Sequence, residues 1–190
     1  PADDLLTALI QARDDNDALT HDEVVSTGVL LLFAGHETTT NLIGNGLLAL
    51  LRHPGVSAEA PGLVEEVLRF DGPAKTIARL MATDVEVRGR TLRQGDRVFL
   101  CPSAANRDPD VFDDPDRFDP ARPTGRQLGF GVGLHYCLGA PLARLEGSVA
   151  IPAVMRSLRG LALTDAPLSW HPVLLSRGLV ELPCEWQQSP

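Results

Sequence analysis

The longest stretch of apolar positions at helical spacing lies between Leu19 and Pro54, and it contains no proline before Pro54. It opens with LTHDEV at 19–24, in which Thr20 and Glu23 have the spacing of a reciprocal capping box. The pattern predicts one helix of about thirty residues, because nothing ahead of Pro54 would end it. Apolar residues lie nearly all round this helix, as in helices that cross the interior of a domain.

Shorter patterns on both sides predict a mainly α-helical chain with small β-sheets. Apolar residues with a spacing of three or four indicate helices, and alternation of apolar and polar residues around glycine turns indicates strands. The predicted elements are helices at 3–12, 63–70 and 138–158, a turn at 14–17, a small sheet at 85–99, a long ordered loop at 102–126 and a short hairpin at 174–186.

Composition narrows the class of protein. The 190 residues include 17 basic and 25 acidic side chains, so the formal net charge is −8. This charge argues against nucleic acid as a partner, because phosphates select basic surfaces. Three cysteines, at 101, 137 and 184, are too widely spaced for a disulfide framework or a Cys-x-x-Cys zinc site. The cysteine usage fits a reducing cytoplasm, so we expect a cytoplasmic, globular protein. No apolar run is long enough to span a bilayer, so we expect no membrane partner.

One cysteine lies in a glycine-rich loop, FGVGLHYCLGA at 130–140. The glycines do not form a dinucleotide-binding fingerprint, because Tyr136 occupies the position of the next required glycine. The loop leads into a predicted helix whose first amides favour a thiolate at Cys137, and Gly139 leaves room for a flat group. From these residues alone, Cys137 is either a buried structural cysteine or a thiolate ligand to a metal in a planar macrocycle.

Residues 130–139 match the pattern F-G-x-G-x-H-x-C-x-G, and this loop resembles the haem-binding loop of the cytochrome P450 family, especially its soluble bacterial members. The resemblance implies that Cys137 is the proximal thiolate ligand of haem b (iron-protoporphyrin IX), which favours cleavage of the O–O bond. It also implies that His135 contacts a haem propionate. The cofactor-binding residues implied by the resemblance are Cys137, His135, Arg79, Phe130, Gly131, Gly139, Ala34 and Gly35.

A second motif, AGHETT at 34–39, lies in the middle of the long predicted helix. It resembles the motif of the family's distal helix, which implies that Gly35 leaves space for dioxygen beside the iron. Reduction of dioxygen needs protons in order, and an acid next to a hydroxyl can relay them from solvent. By the resemblance, Glu37 and Thr38 are this catalytic pair. Without the cysteine loop, the same motif would indicate threonines bonded to the helix backbone and an exposed carboxylate.

Further segments resemble other parts of the family. Glu66 and Arg69 match its E-x-x-R helix, whose buried network is closed by a basic residue of the meander, here Arg117, so these three are expected to be structural. Arg79 falls where the family places an arginine that binds a propionate. Two segments align with the substrate pocket, 73–77 and 174–176. Three arginines near the cysteine loop are candidates for docking an acidic electron carrier: Arg122, Arg126 and Arg144.

The resemblance runs from about residue 3 to residue 186 and implies the carboxy-terminal portion of the cytochrome P450 fold. Its parts are a long central distal helix, the E-x-x-R helix, the meander, the cysteine-ligand loop, the helix that follows it and a carboxy-terminal hairpin. Family members are longer, so residues 1–190 are expected to form a partial haem-thiolate monooxygenase domain whose amino-terminal half is absent.

The function implied is a monooxygenase that uses dioxygen as co-substrate to hydroxylate a small organic substrate. Electrons would come from NAD(P)H through a separate ferredoxin or similar carrier. Two alternatives stay open: a truncated, non-catalytic remnant that binds haem, and a haem-thiolate peroxygenase or isomerase that needs no external electrons. The intact pair of Glu37 and Thr38 argues against the second alternative, whereas nothing in the sequence decides the first.

Overall fold

The computed structural model describes residues 2–16 and 19–187, and it is mainly helical, as predicted. The chain divides into two units, Pro1–Glu37 and Thr38–Pro190, and the longest helix passes from the first into the second. The helices are α1 (Leu5–Asn16), α2 (His21–Arg52), α3 (Leu63–Asp71), α4 (Pro102–Ala105) and α5 (Ala140–Ser157), with a 3-10 turn at Gly133–His135. The strands are β1 (Ile77–Leu80), β2 (Val85–Val87), β3 (Arg90–Leu92), β4 (Arg97–Leu100), β5 (Ala162–Leu163) and β6 (Cys184–Glu185).

The long helix α2 begins at the predicted capping box. The backbone N–H of Glu23 donates to Thr20 Oγ1 at 3.3 Å, and the N–H of Thr20 donates to Glu23 Oε2 at 2.7 Å. The box therefore satisfies amides at the helix end that have no partner within the helix. The helix ends at Arg52, just before Pro54, which confirms the predicted length.

The first helix, α1, is longer than predicted. It continues to Asn16 through most of the turn expected at 14–17, of which residue 17 lies outside the described residues. Aspartate and asparagine are weak helix formers rather than helix breakers. Arg13, in the last turn, also complements the negative end of the helix dipole.

The core of the second unit forms where α2, α3 and α5 pack together. A Cβ at Gly46 of α2 would lie only 2.6 Å from Ile151 Cδ1 of α5. This close approach explains a glycine that costs about 1 kcal/mol relative to alanine inside a helix. The buried apolar residues of this core are Leu42, Ala49, Leu50, Leu63, Val64, Val67, Leu68, Phe118 and Ile151.

The first part of α2 is not buried, contrary to the expectation from its apolar pattern. In the unit Pro1–Glu37, the side chains of Val29, Leu32 and Phe33 are 64%, 74% and 67% exposed. Among the described residues of that unit, α1 is the only other helix, and its 12 residues cannot cover every side of α2. The predicted interior position holds for the part of α2 that lies in the second unit.

The strands pair differently from the single small sheet predicted at 85–99. Arg88 and Gly89, with φ of 49° and 75°, close β2 on β3, since two positive φ values match the strand twist of a tight hairpin. The remaining strands find partners farther away, β4 on β1 and β6 on β5. Ser176 bridges to Ala74 as well, so the predicted tail hairpin at 174–186 pairs with earlier segments rather than within itself. An isolated two-stranded hairpin is marginally stable, and pairing with earlier segments supports it.

The helix after the cysteine loop agrees with the prediction to within two residues at each end. It carries Pro141 in its first turn, where the missing amide costs nothing. The loop at 102–126 contains the short helix α4 and is otherwise irregular, as predicted. Within the described ranges, no helix combines the length and the apolarity that a membrane crossing requires.

Candidate functional site

The loop that carries Cys137 is closed by its own backbone. Gly131 and Gly133 both have a φ of 71°, which residues with a side chain rarely adopt. These reversals allow the N–H of Cys137 to donate to the carbonyl of Phe130 at 3.0 Å, while the N–H of Tyr136 donates to the carbonyl of Gly133 at 3.0 Å. The loop therefore needs these two glycines for its shape.

Cys137 is exposed, and its thiol forms no disulfide. It lies just ahead of α5, where Gly139 is the N-cap residue, and a Cβ at Gly139 would lie 3.9 Å from the sulfur. The exposed position argues against a structural cysteine buried in the core. The thiol therefore lies beside a helix N-terminus, and a cysteine binds metals in its thiolate form.

The surface around this thiol is apolar. The side chains of Val132, Leu134 and Leu138 are 70%, 97% and 91% exposed, and such clustered apolar exposure is typical of a binding surface. Among the residues that the structure describes, no group of three or more His, Cys, Asp or Glu side chains could hold a metal ion. A metal at Cys137 would therefore need donors from a cofactor such as a porphyrin, whose apolar ring suits these side chains. The loop fits a haem.

Arg144 of α5 contacts the loop from the side of its own helix. Its guanidinium donates to the hydroxyl of Tyr136 at 3.1 Å, and its carbon Cζ lies 4.6 Å from the centre of the Phe130 ring. It also pairs with Glu65 of α3, and the hydrogen-bonded carboxylate raises the pKa of Arg144 further above its ordinary value. The charge of Arg144 is thus already compensated, a contact that the sequence analysis missed. No local pattern links the two residues, because Glu65 and Arg144 lie 79 positions apart.

Glu66 and Arg69 form an ion pair inside α3 with both side chains 0% exposed. Arg69 Nε donates to Glu66 Oε2 at 2.7 Å, and Nη2 donates to Oε1 at 2.8 Å. The guanidinium also donates to the backbone carbonyls of Asn106, Pro115 and Arg117. A buried ion pair needs such additional hydrogen bonds, because removing two charges from water is costly. The pair therefore ties α3 to the loop that follows α4.

The basic side chain nearest to this pair belongs to Arg122, not to Arg117 as predicted. Arg122 is 9% exposed, and its Nε lies 3.6 Å from Glu66 Oε1. The side chain of Arg117 is 64% exposed and pairs with Asp119. The prediction fails because the carbonyl of Arg117 faces inward and accepts hydrogen bonds from Arg69 and Arg122, which leaves its side chain on the solvent side.

Arg79 and His135, which were predicted to contact haem propionates, are both exposed. Arg79 lies in β1 opposite Val98, and its guanidinium donates to the carbonyl of Ala78 at 2.9 Å. His135 ends the 3-10 turn that precedes Cys137. Both side chains carry donors at the surface of the second unit, which is what recognition of a carboxylate requires. Their roles as propionate ligands stay predictions.

The predicted distal motif lies in an unbroken stretch of α2, with Ala34, Gly35 and Glu37 in the first unit and Thr38 in the second. Apart from the local helix backbone, no heavy atom of the described residues lies within 4 Å of the position that a Cβ would take at Gly35. Glu37 is half-buried, and Thr38 is exposed. The predicted roles of Gly35, Glu37 and Thr38 stay predictions.

The two segments predicted to line a substrate pocket lie side by side. The N–H groups of Lys75 and Thr76 donate to the carbonyl of Leu175 at 3.0 and 3.3 Å, and the hydroxyl of Thr76 donates to the carbonyl of Leu174 at 2.7 Å. Leu174 and Leu175 are 56% and 49% exposed. The segments therefore present apolar side chains, as a pocket for an organic molecule requires, and their role in substrate binding stays a prediction.

Comparison with known sequences points to one family. The family model described as Cytochrome P450 matches residues 2–61 and 60–176. The biotin biosynthesis cytochrome P450 of Bacillus subtilis (strain 168) is 42% identical over 194 residues, which cover 98% of this chain and 49% of that protein. The 6-deoxyerythronolide B hydroxylase of Saccharopolyspora erythraea is 44% identical over 193 residues, 96% of this chain and 48% of that protein. The chain spans about half the length of the curated relatives it matches.

Solved structures of cytochromes P450 have the same fold over the matched part. The tirandamycin C-bound P450 monooxygenase TamI aligns with a TM-score of 0.92 and 42% identity, covering 98% of this chain and 50% of that chain. P450BioI, solved in complex with an acyl carrier protein ligated to hexadec-9Z-enoic acid, aligns with a TM-score of 0.89 and 41% identity over 98% of this chain and 49% of that chain. The likeness confirms the predicted fold class, mainly α with small sheets.

Proposed function

The chain belongs to the cytochrome P450 family, and from this premise we propose that its Cys137 loop is the thiolate side of a haem-thiolate monooxygenase site. Its relatives include a vitamin D(3) 25-hydroxylase and a cyclomarin C epoxidase, both of which are named for oxidation of organic compounds. The observation that carries the proposal is the exposed thiol of Cys137 at the N-terminus of α5, in a loop shaped by Gly131 and Gly133. Residues 1–190 would then form part of the catalytic domain.

The residues of the loop would hold haem b by one covalent contact and one apolar contact. When bound, the haem supplies the redox-active iron that dioxygen activation requires. Cys137, just ahead of the N-terminus of α5, would ligate it as a thiolate. The exposed side chains of Val132, Leu134 and Leu138 would cover the apolar ring and lose their own contact with water.

The exposed cationic and donor groups of Arg79 and His135 would bind the two haem carboxylates. An arginine forms paired hydrogen bonds with a carboxylate, and a histidine nitrogen can donate to one. Gly35 would leave open space for dioxygen, and Thr38 would hold a proton on its hydroxyl. Glu37 would return that proton from solvent, so that protons reach the reaction one at a time.

The substrate would be a small organic molecule that contacts residues 73–77 and 174–176. Electrons would come from NAD(P)H through a ferredoxin or a similar carrier in the cytoplasm. Of the three arginines considered for docking an acidic carrier, Arg122 lies in the buried network and Arg144 is paired with Glu65. Arg126 is exposed, and we therefore assign carrier docking to it among the three.

A second function, haem binding without turnover, is supported by a different observation. Apolar side chains such as those of Leu32 and Phe33, which lie just ahead of the predicted relay at Glu37 and Thr38, stay exposed. In this case the chain would bind haem through Cys137 and would release no oxidised product. Consumption of NAD(P)H with product formation distinguishes the enzyme from the haem-binding remnant, and product formed with peroxide alone would indicate the peroxygenase instead.

The carbon monoxide spectrum of the reduced, haem-supplied chain tests the proposed ligand. A thiolate ligand moves the Soret band of this complex to longer wavelength. We expect the red-shifted band from the unmodified chain and from Cys101→Ala, and we expect Cys137→Ala to lack it. Cys101 is a matched control, because its thiol is exposed too. An unmodified chain without the band, or a Cys137→Ala variant that keeps it, would reject the assignment.

The proton relay is tested by the ratio of hydrogen peroxide released to NAD(P)H oxidised. We expect Thr38→Ala to keep the red-shifted band but to release more peroxide, because protons no longer arrive in order. Thr40→Ala, two residues along the same helix and also exposed, is the control and is expected to leave the ratio unchanged. The relay would be refuted by equal ratios in the unmodified chain and Thr38→Ala.

A further inference from the structure

Arg144 contacts two residues of the Cys137 loop, one at its start and one just before the cysteine. Its Nη1 donates to the hydroxyl of Tyr136, the residue just before the cysteine, at 3.1 Å. Its guanidinium also lies over the ring of Phe130, with Cζ 4.6 Å from the ring centre. Phe130 supplies the carbonyl that accepts the N–H of Cys137. One guanidinium on α5 therefore contacts the residue that accepts this hydrogen bond and the residue next to its donor.

The same guanidinium is anchored to α3. Arg144 Nε donates to Glu65 Oε1, and Nη2 lies 3.4 Å from Oε2. The second oxygen of Glu65 also accepts from Gln127 Nε2 at 3.0 Å, and Gln127 Oε1 accepts the backbone N–H of Gly129. Glu65 thus holds Arg144 from one side and the chain ahead of Phe130 from the other.

The contacts of Arg144 and Glu65 restrict the backbone of the Cys137 loop, which is flexible by itself. Gly131 and Gly133 have positive φ, and glycine loses more conformational freedom on folding than any other residue. The loop side chains Val132, Leu134 and Leu138 are mostly exposed, so packing does not compensate for this loss. Contacts at Phe130 and Tyr136, on either side of the two glycines, therefore restrict it.

We propose that Arg144, held by Glu65, is a positioning residue that keeps the Cys137 loop in the conformation in which the thiol can ligate haem iron. The ligation step rests on the function proposed above, whereas the ordering of the loop does not. Arg144 acts through Phe130 and Tyr136 and touches neither haem nor substrate. Its charge is compensated by Glu65, so we assign Arg144 to the loop and not to the docking of an electron carrier.

Hydrogen exchange of the chain before haem is added tests the ordering. We expect Arg144→Ala to raise the exchange rate of the loop amides, including that of Cys137, about tenfold, because the loop opens more often once its contacts are lost. Arg144→Lys keeps a cation for Glu65 but loses the planar guanidinium, so we expect an intermediate rate. Loop exchange in Arg144→Ala equal to that of the unmodified chain would overturn the proposal.

Two control variants separate positioning from general stability and from carrier docking. Arg156→Ala removes another ion pair from α5, that with Glu59, far from the loop in sequence. Arg126→Ala removes an exposed arginine ahead of the loop. We expect both to leave the exchange of residues 130–138 unchanged. If either of them accelerates it as much as Arg144→Ala does, the specific role of Arg144 is refuted.

The haem-supplied chain gives a second readout that is independent of turnover. We expect reduced Arg144→Ala to form a carbon monoxide complex in which a larger fraction lacks the red-shifted thiolate band, and to release haem several-fold faster to an excess of apomyoglobin. If the unmodified chain has no such band, the proposed function fails while the exchange result still decides the ordering. Accelerated exchange with an unchanged band and unchanged haem release would refute the positioning of the thiol.

Discussion

The assignment of Arg122 to the buried network makes a prediction opposite to that of the sequence pattern. The guanidinium of Arg122 donates to the carbonyls of Asp113, Asp114 and Arg117, and its Nε lies 3.6 Å from Glu66 Oε1. Arg122→Ala removes all of these contacts from a side chain that is 9% exposed. Arg117→Ala removes an ion pair whose arginine is 64% exposed. Both variants replace an arginine by alanine, so they differ only in the surroundings of the side chain that is removed.

The structure gives the two variants different free energies of unfolding. Three hydrogen bonds at about 0.5–1.5 kcal/mol each, together with the loss of a cation near buried Glu66, make Arg122→Ala destabilising by about 2–4 kcal/mol. Exposed ion pairs contribute about 0–1 kcal/mol, so Arg117→Ala should lie in that range. A domain is stable by only about 5–15 kcal/mol in total, so the first variant loses a large share of its stability.

Urea denaturation followed by far-UV circular dichroism measures the difference. With a slope of about 1–3 kcal/mol per molar urea, we expect Arg122→Ala to lower the midpoint by roughly 1–2 M and Arg117→Ala to leave it almost unchanged. Because both variants leave the core apolar residues in place, the slopes should agree. A larger loss for Arg117→Ala than for Arg122→Ala would show that the sequence-based assignment was right and the structural one wrong.

Three further predictions concern single positions. Gly178→Ala should destabilise the chain by about 1–3 kcal/mol in the same urea assay, because its Cβ would lie 2.0 to 2.6 Å from the side-chain atoms of Asn41; an unchanged midpoint would contradict this contact. Gly44→Ala should stabilise the chain by up to about 1 kcal/mol. The reason is that no heavy atom of the described residues, apart from the local helix backbone, lies within 4 Å of the position that its Cβ would take. A lowered urea midpoint would contradict this open space. Hydrogen bonds from the backbone and side chain of Thr20 lower the pKa of Glu23, so the stability that Glu23 contributes is present above the ordinary glutamate pKa and is lost as pH falls through the lowered pKa. In urea midpoints measured at a series of pH values, Glu23→Gln should reduce the loss of stability at acid pH. An unchanged loss of stability would contradict this prediction.

The features that the sequence predicted correctly depend on residues close together in the chain. The capping box of Thr20 and Glu23 joins positions three apart, and the length of α2 follows from the absence of proline before Pro54. The Cys137 loop was recognised from one short motif, because its shape depends on glycines at fixed offsets. Local sequence and backbone sterics are sufficient for such features.

The expectations that failed depend on which distant residues meet. The burial of α2 was overestimated. An apolar pattern shows which side chains would be stabilised by burial, but it does not show which segment packs against them. The tail was assigned a hairpin of its own, whereas Ser176 bridges to Ala74 about one hundred residues earlier. The role of Arg144 was missed because its partner, Glu65, lies 79 positions away.

The sequence by itself determined the family, the long helix α2 and the glycine-rich loop around Cys137, because each is encoded in a short stretch with a fixed spacing. Only the tertiary structure decided that Arg122 rather than Arg117 lies beside Glu66, and that Arg144 is bound to the cysteine loop. Both choices depend on the direction in which a backbone carbonyl or side chain points after the chain has turned. That direction is set by packing between segments that are far apart in the sequence, and no local pattern contains it.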